Sequence, residues 1–135
     1  MTQLRHKESG KIFRVFNLHL DHESEEARVQ GIKCAWEFVD EYNKKIEYPY
    51  FLLGDLNAEP DSETIKICDS REGLREVTGD FPFTFHEYFY TERRLKIDYI
   101  YMTDTIKVKK TEAWKDEIEG IYLSDHYPIC TEVEI

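Results

Sequence analysis

The chain predicts an α/β fold, and three observations carry that prediction. Apolar runs at Ile12–Leu20, Tyr50–Leu53 and Ile97–Met102 have the length of strands, not of helices. Between the first two, Ala27, Ile32, Ala35, Phe38/Val39 and Tyr42 recur at helical spacing and outline one helix with one buried stripe. Strand, helix, strand in that order is a crossover unit.

Each element has a local reason. Thr2–His6 and Ile12–Leu20, joined around Glu8-Ser9-Gly10, read as a β-hairpin with glycine in the turn. In the second strand, Phe13 and Val15 share a face with Asn17, His19 and Asp21, so that face starts apolar and ends polar. The other face carries Ile12, Phe16, Leu18 and Leu20, interrupted by Arg14. Ser24 followed by Glu25 and Glu26 starts a helix that runs to about Ile46. Pro49 stops it, and Tyr50–Leu53 is apolar on both faces, as a fully buried strand is. Ser62 can cap a shorter helix through about Asp69. Arg71–Asp80 reads as loop, and aromatic Phe83–Tyr90 as either a strand or a loop facing substrate. Ile97–Met102, Ile106–Trp114 and Tyr127–Ile135 complete the strands.

With 135 residues, one domain covering the whole chain is expected. No apolar run approaches the roughly 20 residues that cross a bilayer, and polar Met1–Lys11 does not read as a signal peptide. Cys34, Cys68 and Cys130 are odd in number without C-x-x-C spacing, which points to reduced, mostly buried thiols and a cytoplasmic protein. The formal charge of −10 argues against duplex DNA, whose phosphates are normally met by a basic face. Two basic clusters, Arg93-Arg94-Leu95-Lys96 and Lys107-Val108-Lys109-Lys110, read as a solvated loop and a lysine-protected sheet edge.

Four polar clusters fall at the ends or in the bodies of these strands. They are Asn17–His22, Gly54-Asp55-Leu56-Asn57, Ile97-Asp98-Tyr99-Ile100 and Ser124-Asp125-His126-Tyr127-Pro128. Asp55 and Asn57 stand two residues apart, so in an extended segment their side chains point the same way. An acid that takes a proton or holds a cation, beside a neutral carboxamide, suits a phosphate. The structural alternative is an Asx-type turn. Asp98 shares its face with Ile100 and Met102, where a charge is costly unless paired.

In order and wording these clusters resemble the endonuclease/exonuclease/phosphatase superfamily, the metal-dependent phosphoesterases that include DNase I and the abasic-site endonucleases. The resemblance runs from the Lys7–Lys11 turn to the final strand. It implies one half of a four-layer α/β/β/α sandwich, a mixed and mostly antiparallel sheet with helices on one face. It implies hydrolysis of a phosphate ester by metal-activated water, with Mg²⁺ or Mn²⁺ as cofactor. Asp55 matches the base or a metal-positioning carboxylate, Asn57 and His19 match phosphate contacts, and Asp125 matches a metal ligand, with Ser124 supporting its loop. Asp98 matches the residue that orients His126 and keeps it protonated towards the scissile phosphate. Thr84, Phe85 and His86 are expected to border the substrate or, as aromatic neighbours, to pack in the core. Asp21, His22 and Arg28 are assigned structural or supporting work.

Complete members of the superfamily have two similar halves, and every motif here belongs to the second. The first half would bring an asparagine and the glutamate of a Gln-Glu turn, the principal metal ligand. Weak Mg²⁺ binding, poor turnover and an uncovered sheet face are therefore expected, with a homodimer or a separate N-terminal half as cover. A non-catalytic interaction module or split-gene remnant is the alternative. A different enzyme class is also weighed: His19-Leu20-Asp21-His22 is a fragment of the H-x-H-x-D-H zinc pattern, with Asn17 where its first histidine would stand.

Overall fold

The computed structural model describes residues 1–135. Its first hairpin pairs β1 (Thr2–Arg5) with β2 (Ile12–His19), Thr2 facing Val15 and Arg5 facing Ile12. Helix α1 (Glu25–Lys45) begins where the Ser24 hydroxyl accepts the Ala27 N–H at 3.2 Å. Glu25 and Glu26 complement its first turn and Lys44 and Lys45 its last. The chain returns as β3 (Tyr50–Asp55), parallel to β2 as a crossover requires. Helix α2 (Glu63–Asp69) is capped by Ser62.

Four more strands follow in pairs or singly: β4 (Leu74–Glu76), β5 (Asp98–Thr103), β6 (Lys107–Ala113) and β9 (Ile129–Glu134), with the small β7 (Glu117–Ile118) and β8 (Ile121–Tyr122) hairpin before β9. The main sheet has the order β1-β2-β3-β5-β4, and β6 with β9 forms a separate two-stranded ribbon. Only β2 and β3 run parallel, so the sheet is mixed and mostly antiparallel. Leu74–Glu76 lies in a segment expected to be loop. It is three residues long with a polar centre, too short for alternation to register, and gains its partners from β5.

Alternation divides the sheet into two faces. Phe16, Tyr50, Leu52, Tyr99 and Tyr101 point to the helices and pack with Ile32, Trp36, Val39, Ile65 and Cys68. Leu52 is fully buried there, worth about 1.5–3 kcal/mol of transfer free energy. Trp36, not Phe38, completes the helix stripe. Ile32, Trp36 and Val39 follow one another at spacings of four and three, while Phe38 stays 44% exposed at the margin. Arg14, out of place on a buried strand, donates to the Asn43 carboxamide oxygen at 2.6 Å and the Ile46 carbonyl at 2.8 Å, and lies over the Tyr48 ring.

The opposite face carries Phe51 and Met102, which pack with Ile106, Val108 and Val133 of the β6–β9 side. Nearer the middle of the sheet that cover ends. Val15, Leu53 and Ile100 line an open groove of about 380 Å³ with Trp114, Ile129 and Val133. The three cysteines are free, but Cys34 is exposed, against the expectation of mostly buried thiols; Cys68 is buried and its thiol is pushed up to about 12 by burial. No helix is long and apolar enough to cross a membrane.

Candidate active site

Strand register assembles the site. β2 and β3 are parallel, so both end at the same edge of the sheet, and β5, antiparallel to β3, begins there. His19 therefore pairs with Asp55, and Asp55 with Asp98, in one row across three strands. Gly54 permits the close approach of β2 to β3. At its φ of +134°, a Cβ would stand 2.0 Å from the Leu18 carbonyl oxygen.

Past the strand end, the Asp55 carboxylate accepts the Asn57 N–H at 2.8 Å, and Asn57 takes the left-handed φ of 48° that asparagine tolerates. Its carboxamide donates to the Leu20 carbonyl at 2.9 Å, tying the β2 and β3 ends together. The Asx turn and the convergence on the site are thus the same structure.

The fourth cluster is brought in by Thr84. Its hydroxyl oxygen accepts the N–H groups of Ile97 and Asp98, both at 3.1 Å, and its carbonyl accepts the Tyr127 N–H at 2.8 Å. The His86 N–H donates to the Asp125 carbonyl at 2.8 Å, and Phe85 bridges Leu95 on one side and His126 on the other. This fully buried threonine fastens the start of β5 to the loop before β9, a positioning role that its aromatic neighbours conceal in the sequence.

Two like charges paired across neighbouring strands are unfavourable unless a cation compensates them. His126 supplies it. Its Nδ1 lies 2.8 Å from Asp98 Oδ2, and its Nε2 lies 3.8 Å from Asp55 Oδ2. The hydrogen bond to Asp98 holds the imidazole pKa above its usual value, helped by the charges of Asp98 and Asp55. Burial raises the Asp55 pKa, against the lowering effects of the Asn57 N–H and the two histidines. His19, largely exposed, stands 3.6 Å from the same Asp55 oxygen.

The potential ligand atoms of Asp55, Asp98 and His126 lie within 4.8 Å of one another. With Asp98 Oδ2 engaged by His126 and Asp55 Oδ1 by the Asn57 N–H, each carboxylate keeps one oxygen without a hydrogen bond. A hard cation such as Mg²⁺ binds through one or two carboxylates and fills its shell with water and substrate oxygens, so this donor set fits one. Asp125 is not among the three; its carboxylate accepts the Ser124 hydroxyl at 3.4 Å. A cleft of about 280 Å³ opens beside the group, lined by Leu53, Gly54, Asp98, Ser124 and His126 among others.

The remaining expected residues separate. The Phe85 ring stands 5.0 Å from the His126 ring. His86, for which bordering the substrate and packing in the core were both open, is fully buried between Phe89, Tyr122 and Tyr127, where burial lowers its pKa and neither ring nitrogen has a partner. Asp21 turns its carboxylate to the N–H groups of Glu23 and Ser24, Arg28 pairs with Glu25, and His22 lies against Glu23. His19, Asp21 and His22 therefore do not converge, which corrects the zinc-site alternative.

An acid–histidine–acid group at the edge of a mixed sheet, with helices behind it and an open cleft before it, defines a phosphoesterase-like fold. The profile of the Endonuclease/Exonuclease/phosphatase family matches residues 4–126, and the chain belongs to that family. A conserved protein of unknown function from Enterococcus faecalis is 31% identical with a TM-score of 0.80, over 95% of this chain and 52% of that one. An endonuclease/exonuclease/phosphatase from Bacteroides vulgatus is 28% identical with a TM-score of 0.76, over 98% of this chain and 53% of that one. At 23% identity and a TM-score of 0.81, a mannosyl-6-phosphatase from Bacteroides thetaiotaomicron shares the fold, over 97% of this chain and 54% of that one. The chain thus spans about half the length of these solved relatives. No curated protein matches the chain.

Proposed function

We propose that the chain carries the second half of a Mg²⁺- or Mn²⁺-dependent phosphoesterase site, hydrolysing a phosphomonoester or phosphodiester. The observation that carries this reading is His126 set between Asp98 and Asp55. Asp98 orients the imidazole through Nδ1 and favours its protonated form, which leaves Nε2–H to donate to a phosphoryl oxygen. Asp55, its pKa raised by burial, accepts the proton of the attacking water. Asn57 keeps one amide hydrogen beyond the Leu20 bond for a second phosphoryl oxygen, and His19 stands at the open rim. Asp55, with Asp125 on the neighbouring loop, would hold the cation, which when bound supplies charge neutralisation at the phosphoryl group and lowers the pKa of water. Phe85 borders the substrate.

One feature supports a partner: the apolar Val15–Leu53–Ile100 face is open. A second copy or an N-terminal half covers that face, and an N-terminal half would add a further carboxylate for the cation. Light scattering tests self-pairing: a dimer at micromolar concentration supports it and a clean monomer contradicts it. The net acidity favours a small ester over duplex DNA, and the free thiols suit the cytoplasm. The open groove equally favours a second reading, a non-catalytic interaction module.

Hydrolysis of a generic phosphomonoester and phosphodiester separates these readings. The catalytic reading expects metal-dependent turnover that a chelator abolishes and that Asp55→Ala and His126→Ala each reduce at least about 100-fold. Equal background from all three proteins, with or without metal, favours the module.

A further inference from the structure

The basic run Arg93-Arg94-Leu95-Lys96 does not behave as one solvated cluster. Lys96 pairs with Glu76 at 3.4 Å and donates to the Gly79 carbonyl. Arg94 is spent inside its own loop. Its guanidinium donates to the carbonyls of His86, Thr91 and Arg93 and lies 4.2 Å from the Phe89 ring. Arg93 alone remains. It makes no side-chain hydrogen bond and no ion pair, and its guanidinium rests 5.6 Å from the centre of the Phe85 ring. That ring is itself packed edge-on against His126. One ring's breadth from the candidate site, an uncompensated cation is therefore held out in a protein whose formal charge is −10.

The loop that presents it is organised. Glu87, Tyr88 and Phe89 take left-handed φ values of 50°, 52° and 62°, a run that non-glycine residues avoid unless their surroundings impose it. The bonds from Arg94 close this turn, and Glu87 turns its carboxylate to the Thr91 hydroxyl instead of to Arg93. The Arg93 N–H donates to Thr91 Oγ1 at 3.1 Å, which fixes the backbone that carries the guanidinium.

We propose that Arg93, carried on Phe85, is a specificity-determining residue that receives a second anionic group of the substrate, so that the preferred ester bears two phosphates a small-molecule's length apart. This rests on the reading of Asp55, Asp98 and His126 as a phosphoryl site. Arg94 is its positioning residue. A planar guanidinium within cation–π range of an aromatic ring is less hydrated than an ammonium and offers paired donors to phosphate oxygens.

Calorimetric titration with glucose 1,6-bisphosphate and glucose 6-phosphate, in Mg²⁺ at low salt, tests it. The wild type is expected to bind the bisphosphate about tenfold more tightly. In Arg93→Met, which keeps the apolar stem on Phe85, the ratio of the two affinities falls towards one, and Arg93→Lys restores part of it. Lys33→Met, an equal change of net charge on the exposed side of α1, keeps the wild-type ratio. A circular dichroism melt establishes that the Arg93 variants are folded. Binding of the monophosphate with no preference for the bisphosphate, or a preference that survives Arg93→Met, overturns the proposal and leaves the phosphoryl site standing. If neither compound binds, the reading of the site itself fails, and the proposal with it.

Discussion

Replacing Asp98 by Asn removes the negative charge at Nδ1 of His126 while keeping the side chain's shape. The lost interaction is a 2.8 Å bond between groups whose side chains are 22% and 25% exposed. A hydrogen bond to a charged partner contributes about 1.5–3 kcal/mol when buried, and partial solvation puts this one at about 1–2 kcal/mol. The pH dependence has a definite sign. The folded-state pKa of His126 is raised, so its contribution is fully present below the ordinary histidine value of about 6.5 and is lost as pH rises through the folded value. Urea unfolding of wild type and Asp98→Asn should therefore differ most near pH 6, and the gap should narrow by pH 9. In the same variant the His126 Cε1–H resonance should titrate at lower pH. A His126 midpoint unchanged by the substitution, or a stability gap independent of pH, would refute the claim that Asp98 holds the imidazole charged.

Two further expectations concern the row of residues across the sheet edge. Burial raises the folded pKa of Asp55, so its ionisation makes folding less favourable as pH rises above its unfolded value. Asp55→Asn can still accept the Asn57 N–H and should raise the melting temperature at pH 7 by about 4 °C, for a gain of about 1 kcal/mol; a lower melting temperature contradicts this. Gly54→Ala places a methyl against the Leu18 carbonyl at a φ that L-residues avoid. It should cost at least about 3 kcal/mol in urea unfolding, and a loss below about 1 kcal/mol would show that the β2–β3 approach is not as tight as described.

Much of this arrangement was legible because it rests on local rules. Ser24 and Ser62 announced both helices, and the polarity change along Phe13, Val15, Asn17 and His19 marked the strand end that borders the candidate site. The convergence of His19, Asp55 and Asp98 needed one more fact, the pairing register: the crossover makes β2 and β3 parallel, but which residues face one another across β2, β3 and β5 is set by the packed sheet. What escaped reading was non-local. Thr84 looks like any residue in an aromatic run, because its value lies in the two backbone N–H groups it receives from 13 and 14 residues away. His86 leaves open a place beside the substrate or in the core until three aromatic rings enclose it. Trp36 replaced Phe38 in the core because small errors of helix phase decide which of two large residues is covered. The short β4, β7 and β8 carry too few residues to show a period.

A phosphoryl group seated at Asp55 and His126 can be detected by following the five histidines by NMR while inorganic phosphate is added in the presence of Mg²⁺. Saturable shifts are expected at His126 and His19, with His6, His22 and buried His86 unmoved, and loss of the His126 response in Asp55→Ala. Phosphate that leaves His126 untouched, or that moves all the exposed histidines alike, would contradict a phosphoryl group seated between Asp55 and the Asp98–His126 pair.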